Sequence, residues 1–419
     1  MATIEKSNND NFLTWNKITG TLSPEDLQAN GLNEVNTPQN LAVASGFVLT
    51  WDDKSNFETG VEIHRKSESE TKFKKIGEVG ENVETYTDSS TSVGITYYYK
   101  VRAYFDNGVG SVKYGSFSNE VNYTFALTWT SRSASEQSTW QSVSFGNNVF
   151  VAVSSAGKIM RSTNNGETWS AITPPSSDPF IKVRYGNGVF ISLQTVANQD
   201  DIIKSTDYGV SWSTVSGVLE ANSWKGLAYG NSTWVAVSSN GTNRTAWSDD
   251  DGETWNAVAS SEQNSWRSVC YGNGVFIAVS DSGTNRVMRS TDDGVSWSAV
   301  ASSEQNSWRD VIYVNGIFIA VSQGGTNASM ISVNDGVSWV ALSTADNSSN
   351  WTALATGSGI YVSVATGGTI QAMFAEDTST VWNPSTVSES NIWSDLAFGN
   401  NTFVSISPTG TNRVMTGTV

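Results

Sequence analysis

The sequence predicts an all-β chain, and three observations predict it. The first is composition. The 419 residues include 36 Gly and 17 Trp, while only 15% are charged. Asn, Ser, Thr and Gly stand where a helical protein would carry straight-chain residues and Ala, so strands and turns are favoured. The second is a segment reading W-x-x-V-x-Y-G-N-G-x-F-x-A-V-S, which recurs from Trp140, Phe180, Trp224, Trp266, Trp308, Trp351 and Trp393 at steps of 40, 44, 42, 42, 43 and 42 residues. The third is a segment reading S-T-D-D-G-V-S-W, ending at Trp169, Trp212, Trp255, Trp297, Trp339 and Trp382, with a bare Trp129 placed 40 residues before Trp169. Four short antiparallel strands at such a period are the signature of a β-propeller blade. The chain is also too long for one ordinary domain. It is expected to divide into a small N-terminal anchor segment (1–37), an Ig-like β-sandwich (38–124) and a seven-bladed β-propeller (125–419), the first two on the grounds given below.

The unit starting at Trp266 shows how a blade parses. WRSVCYG is the first strand, with Val269 and Tyr271 on one face, and VFIAVS is the second. Asn273-Gly274 joins them, since Asn-Gly supplies the positive φ of a tight hairpin. DSGTNR is a longer loop, VMRST the third strand, Asp293-Gly294 a second turn, and VSWSAVA the fourth strand. The propeller begins with an orphan fourth strand (125–131) and ends with three strands (393–415). The orphan is therefore expected to complete the last blade and remove an exposed edge.

The S-x-[DN]-x-G-x-[ST]-W turn resembles the Asp-box of sialidases and other propeller proteins. Asp207, Asp250 and Asp292 hold the acidic position, Asn164 and Asn334 replace it, and in the last box Ser379 stands in place of Gly. The carboxylate oxygen is expected to accept turn amides, while Gly permits φ > 0 and Trp anchors the hairpin. Asp249 to Gly252 reads D-D-D-G but lacks the later carboxylates of a calcium loop, so it reads as a turn. The resemblance to sialidases does not carry their chemistry. The propeller has nine Arg, and Arg184 is the one lying deep in a first strand. Asp310 and Asp395 share one position, two residues after the first-strand Trp. Two carboxylates facing a channel suit glycoside hydrolysis, but nothing nearby supplies an acid/base partner set, so they read as solvated lining of the central channel.

Residues 38 to 124 resemble a fibronectin type III domain. The pieces are Pro38, Trp51 in FVLTWDD, GVEIHRKS, and TYYYKVRAYFDNGVGSVKYGSFSNEV. The resemblance places Tyr97 at the tyrosine-corner position, with Tyr97, Tyr99 and Val101 on one face and Tyr98, Lys100 and Arg102 on the other. It implies a spacer or adhesion module, and His64 reads as an exposed strand residue. In residues 1 to 37, Ser23-Pro24 starts a short helix that Gly31 stops. Phe12, Leu13, Trp15 and Ile18 are apolar in a stretch too short to fold alone; they either dock on the sandwich or bury against a partner, and partner-binding is the favoured reading.

Charge and rare residues narrow the function. Lys and Arg number 24 and Asp and Glu 40, a net charge of −16, which opposes binding to nucleic acid. One His and one Cys (His64, Cys270) exclude a zinc cluster, a Ser/His triad within the propeller and an intrachain disulfide. No metal or cofactor is expected. No apolar run approaches the ~18 residues of a membrane span. The start lacks the apolar core of a signal peptide, and Asn231, Asn240 and Asn327 sequons read as turns, so the chain is expected to fold in a reducing cytoplasm.

The loops SEQNSWR and GTNR are expected on one propeller face. They carry Arg244, Gln263, Asn264, Trp266, Arg267, Asn285, Arg286, Gln305, Trp308, Arg309 and Arg413 as candidate ligand-binding residues. Planar amides, guanidinium and indole suit sugar hydroxyls and ring faces; the competing reading is that duplication repeats the same turns and that the Trp rings fill gaps between blades. Anchor, spacer and propeller, with almost no Cys and Asn/Ser/Thr/Gly-rich strands, resemble bacteriophage virion proteins. That resemblance implies a non-catalytic tail or head appendage on the virion surface. It would be held by other virion proteins and bind host-surface carbohydrate or another virion protein. A glycosidase with a binding module and a purely structural capsid or tail decoration protein are the alternatives.

Overall fold

The computed structural model describes residues 35–419 except 45–46, 56–57, 92–94, 107–111, 125, 195–201, 216–218 and 378. The N-terminal segment with Phe12, Leu13, Trp15 and Ile18, and the Ser23-Pro24 helix start, lie outside the described residues. The described residues form two compact units, divided between Ala126 and Leu127. The described residues contain strands and turns with no α-helix, and none of their elements is a helix long and apolar enough to cross a membrane.

The first unit is a sandwich of eight strands: β1 (Gln39–Ala44), β2 (Val48–Asp52), β3 (Gly60–Ser67), β4 (Lys74–Gly80), β5 (Thr85–Thr87), β6 (Thr96–Asp106), β7 (Val112–Tyr114) and β8 (Val121–Thr124). One sheet runs β1-β2-β5, the other β4-β3-β6 with β7 and β8 both pairing β6. The alternation read from the sequence is present: Tyr97, Tyr99, Val101 and Ala103 are buried, while Tyr98, Lys100 and Arg102 are half-buried. Leu49, Trp51, Val61 and Ile63 complete this core. The Tyr99 hydroxyl donates to Asp88 at 2.9 Å, and the Arg65 guanidinium lies 4.5 Å over the Tyr97 ring. His64 is not the exposed strand residue expected. Its ring meets Phe117 edge-on at 4.9 Å and lies 3.0 Å from the Glu62 carboxylate, because this sheet face carries its own layer of aromatic rings.

The second unit holds seven four-stranded antiparallel sheets. Six are continuous: residues 140–172, 180–215, 224–258, 266–300, 307–342 and 351–385. The seventh combines Asp395–Gly399, Thr402–Ile406 and Val414–Thr418 with Thr128–Arg132 from the start of the unit. Its pairing runs Val414 to Arg132 through Thr418 to Thr128. We number these blades 1 to 7 in that order. The first strand of each blade packs on the first strands of both neighbours, and blade 7 meets blade 1, so the ring closes around an axis lined by first strands.

Local chemistry explains each blade. Asn273 (φ 47°) and Gly274 (φ 80°) are both left-handed, as a two-residue hairpin that follows the strand twist requires. In the box of blade 4, Asp292 accepts the Ser296 amide at 3.0 Å and the Ser296 hydroxyl at 2.6 Å. The Ser290 hydroxyl accepts the Gly294 amide at 2.9 Å, and Trp297 Nε1 donates to the Gly294 carbonyl at 3.1 Å. These bonds extend the turn through Trp297. The fourth strand is therefore Ser298–Val300, shorter than the segment from Val295 that the pattern suggested.

Neighbouring blades are fitted by size. Gly272 ends a first strand, and a Cβ there would stand 2.0 Å from the Tyr313 ring of the next blade. Gly146, Gly186, Gly230, Gly357 and Gly399 face Tyr185, Tyr229, Tyr271, Phe398 and Phe145 in the same way. Blade 5 instead ends its first strand in Val314, and blade 6 has the small Thr356 in place of the ring.

Candidate functional site

Two groups of polar residues stand out in the propeller. The first lies on the axis. Two residues after the repeated aromatic, the blades carry Ser142, Lys182, Gly226, Ser268, Asp310, Ala353 and Asp395. First strands have no hydrogen-bonded strand on their axial side, so their amides need other partners. Asp395 meets this need across the closure. It accepts the Val143 amide at 3.1 Å and the Ser142 hydroxyl at 2.6 Å, and Lys182 and Arg184 each approach to 3.3 Å. Asp310 accepts the Leu354 amide at 2.8 Å and the Ser268 hydroxyl at 2.5 Å. Ser142 in turn accepts the Val183 amide at 3.1 Å.

These carboxylates are not a solvated lining: Asp395 is 1% and Asp310 4% exposed. Burial alone would raise both. In Asp395 the charges of Lys182 and Arg184 outweigh it and hold the carboxyl below its ordinary value. In Asp310, whose bonds come from neutral groups, burial wins and the carboxyl is pushed up. Burial pushes the Lys182 ammonium down, with Arg184 adding to it. Burial, then the charge of Asp310, also raises the Cys270 thiol.

The second group is the face carrying the inter-blade loops. Most of the residues expected there to contact sugar are brought together as links between and within blades. The Arg286 guanidinium donates to the carbonyls of Gln305 and Asn306 at 2.9 and 2.8 Å, which belong to the turn leading into blade 5. Arg244 does the same for Gln263 and Asn264 at 2.7 and 2.8 Å. Arg413 donates to Ser138, the equivalent turn across the closure. Asn264 is buried and donates to the Asn285 carbonyl at 2.6 Å, while the Asn285 amide donates to Glu262 at 2.5 Å. Gln263 and Gln305 donate to the carbonyls of Thr242 and Thr284 at 3.1 and 3.0 Å.

Trp266 and Trp308 correct the expectation most plainly. Both are fully buried between blades, and their ring N–H groups donate to the carbonyls of Glu262 and Glu304 at 3.2 and 3.1 Å. Neither presents a ring face to a ligand. Indoles this large are the filling between neighbouring blades.

Arg267 and Arg309 differ from the rest. Each directly follows its first-strand Trp, and Lys225 holds the same place in blade 3. Arg267 pairs with Asp281, and Arg309 reaches the same carboxylate at 3.4 Å and donates to Gln323. The sequence reading missed Lys225, Asp281 and Lys182. The repeated W-K, W-R, W-R in blades 3 to 5 was the available signal for Lys225. Among the described residues, no group of three or more His, Cys, Asp or Glu is placed to hold a metal ion.

No family model matches the chain, and no curated protein is similar to it in sequence. Solved structures do share the propeller. A catalytically inactive variant of virginiamycin B lyase from Staphylococcus aureus, with quinupristin, superposes with a TM-score of 0.61 at 12% identity, covering 70% of this chain and 99% of its own. YCF48 bound to D1 peptide superposes at 0.56 and 14% identity, covering 71% and 98%. YCF48 from Cyanidioschyzon merolae superposes at 0.54 and 16% identity, covering 69% and 98%. At such identities the likeness is one of fold, and the fold is the β-propeller.

Proposed function

We propose that this chain is a non-catalytic surface protein of a bacteriophage virion, a tail or head appendage whose propeller binds host-surface glycan or another virion protein. The sandwich acts as a fibronectin type III-like spacer. The segment with Phe12, Leu13, Trp15 and Ile18 attaches the chain to other virion proteins. The observation that carries the non-catalytic reading is the commitment of the axial groups. Asp395 accepts four donors, Asp310 accepts a backbone amide, and burial holds the Cys270 thiol protonated rather than as the nucleophilic thiolate.

The comparisons lend support at the level of analogy. The lyase is inactive with one histidine replaced by alanine, and the propeller of this chain contains no His. A second propeller of the same fold has been captured with a bound peptide. The glycosidase reading draws on one observation, the opposite displacement of Asp310 and Asp395, a pattern that acid/base pairs use. Against it, both groups are buried and already bonded.

The test measures attachment of the labelled full chain to candidate host cells and to a glycan array, with hydrolase and lyase assays on the same glycans. Attachment without turnover is expected. Turnover that Asp310→Asn abolishes would establish the enzyme instead. No attachment, with particle incorporation that depends on residues 1–37, would establish a decoration protein.

A further inference from the structure

Blades 3, 4 and 5 each place a cation directly after the first-strand Trp: Lys225, Arg267 and Arg309. The other blades have Gln141, Ile181, Thr352 and Ser394 there. Three cations in consecutive blades form an arc beside the axis, on the side of the inter-blade loops.

The arc is short of negative charge. Among the described residues a single carboxylate, Asp281, pairs with it, and it serves both Arg267 and Arg309. The residue of blade 5 equivalent to Asp281 is the neutral Gln323, and that of blade 3 is Ser239, whose hydroxyl donates to the Ser223 carbonyl at 3.2 Å. The Lys225 ammonium makes no hydrogen bond or ion pair among the described residues, and Arg309 Nε is buried there without an acceptor. Burial, then the charge of Arg267, pushes the Lys225 ammonium below its ordinary value. The same two causes lower Arg309, against the opposing pull of Asp281. Three cations facing one carboxylate, in a protein of net charge −16, are a local reversal of sign.

We propose that the arc of Lys225, Arg267 and Arg309 binds an acidic sugar through its carboxylate or sulfate group. This rests on the reading of the propeller as a glycan-binding head, and it names the ligand class. An oxyanion with two free oxygens matches guanidinium donors in pairs, whereas Asp281 meets both arginines through Oδ2 alone, and Lys225 supplies the point charge that Asp281 leaves unmatched. A neutral sugar would leave the excess charge where it is.

The test uses the full chain and titration calorimetry with three oligosaccharides of equal length: one containing glucuronate, one sulfated and one neutral. Lys225→Met removes a charge without breaking a bond among the described residues. Asp281→Asn keeps the polar shape while removing the competing carboxylate. The expected result is preference for an acidic oligosaccharide, weakened about fivefold by Lys225→Met with a shallower salt dependence, and tightened by Asp281→Asn. Which acidic sugar binds identifies the oxyanion. Equal binding of acidic and neutral sugars would overturn the inference and leave the glycan-binding head intact, as would acidic binding that ignores Lys225. Binding of no sugar, with no attachment to cells, would remove the wider reading as well.

Discussion

Asp310 and Asp395 occupy one position of the repeat, yet their surroundings displace them in opposite directions. Asp395 has a folded pKa below its unfolded value of about 3.9. Its stabilisation is present above that value and is lost as pH falls through the folded pKa. Asp310 has a folded pKa above its unfolded value, so its ionisation opposes folding. The cost is absent in acid and grows as pH rises toward the folded pKa. Asp395→Asn should destabilise by about 1–3 kcal/mol at pH 7, because it leaves the half-buried Lys182 and Arg184 without their carboxylate. Asp310→Asn should be neutral or stabilising at pH 7, since an amide oxygen can still accept the Leu354 amide. Melting curves from pH 4 to 8 would check both, and shifts of the same sign would contradict the assignment. Arg286 shows why single residues were hard to read. In sequence, a guanidinium in a polar loop looks the same whether it meets a sugar or a carbonyl of the next blade. The structure gives it two such carbonyls. Arg286→Ala is therefore expected to cost about 1–3 kcal/mol, as for a bond to a charged group, whereas Lys225→Met should stay within ~0.5 kcal/mol. Thermal melts of the two variants side by side would decide it.

At the scale of elements the sequence was more legible. Period-two alternation placed the strands, and Asn-Gly placed the hairpins, because both signals are local. The fourth strands were read too long, because the bonds of Asp292 and Ser290 that hold the turn through Trp297 compete with the ladder. The pairing of strand-end glycine with the ring of the next blade was also present in the sequence, but only as a correlation between neighbouring repeats. It makes a sharp prediction. Gly272→Val places side-chain atoms where the Tyr313 ring now lies, since even a Cβ would stand 2.0 Å from that ring. Overpacking of this kind costs about 1–3 kcal/mol or more. Adding Tyr313→Thr reproduces the Val314 and Thr356 combination of blades 5 and 6, and should recover at least half of the lost stability. A double-mutant cycle by denaturant unfolding would measure the coupling. Additive effects would mean that the two positions do not share one space.

For the whole molecule, the blade count and the manner of closure were legible because a fixed period and one orphan half-unit determine them. The axial charge cluster was not. Ser142, Lys182 and Asp395 meet only when the ring closes, with Asp395 separated from the others by 253 and 213 residues. Closure also gathers other bonds at one seam. Trp129 Nε1 donates to the Ser385 hydroxyl at 3.1 Å, Arg132 to the Thr416 hydroxyl at 3.2 Å, and Arg413 to Ser138. Removing residues 127–134 would expose the outer side of Val414–Thr418 and uncover apolar surface that Trp129 buries, a side chain of the class worth about 1.5–3 kcal/mol when fully buried. The deleted chain should melt lower and associate through its open edge. The decisive variant moves the same eight residues to follow Val419 through a short glycine linker. Every other blade joins its third strand to its fourth by such a turn, so the relocated strand can pair with Val414–Thr418 in the same antiparallel sense. Sedimentation and thermal melts should then show a monomer with most of its stability restored. If the deletion melts like the parent chain, or relocation restores nothing, the strand is not what closes the ring.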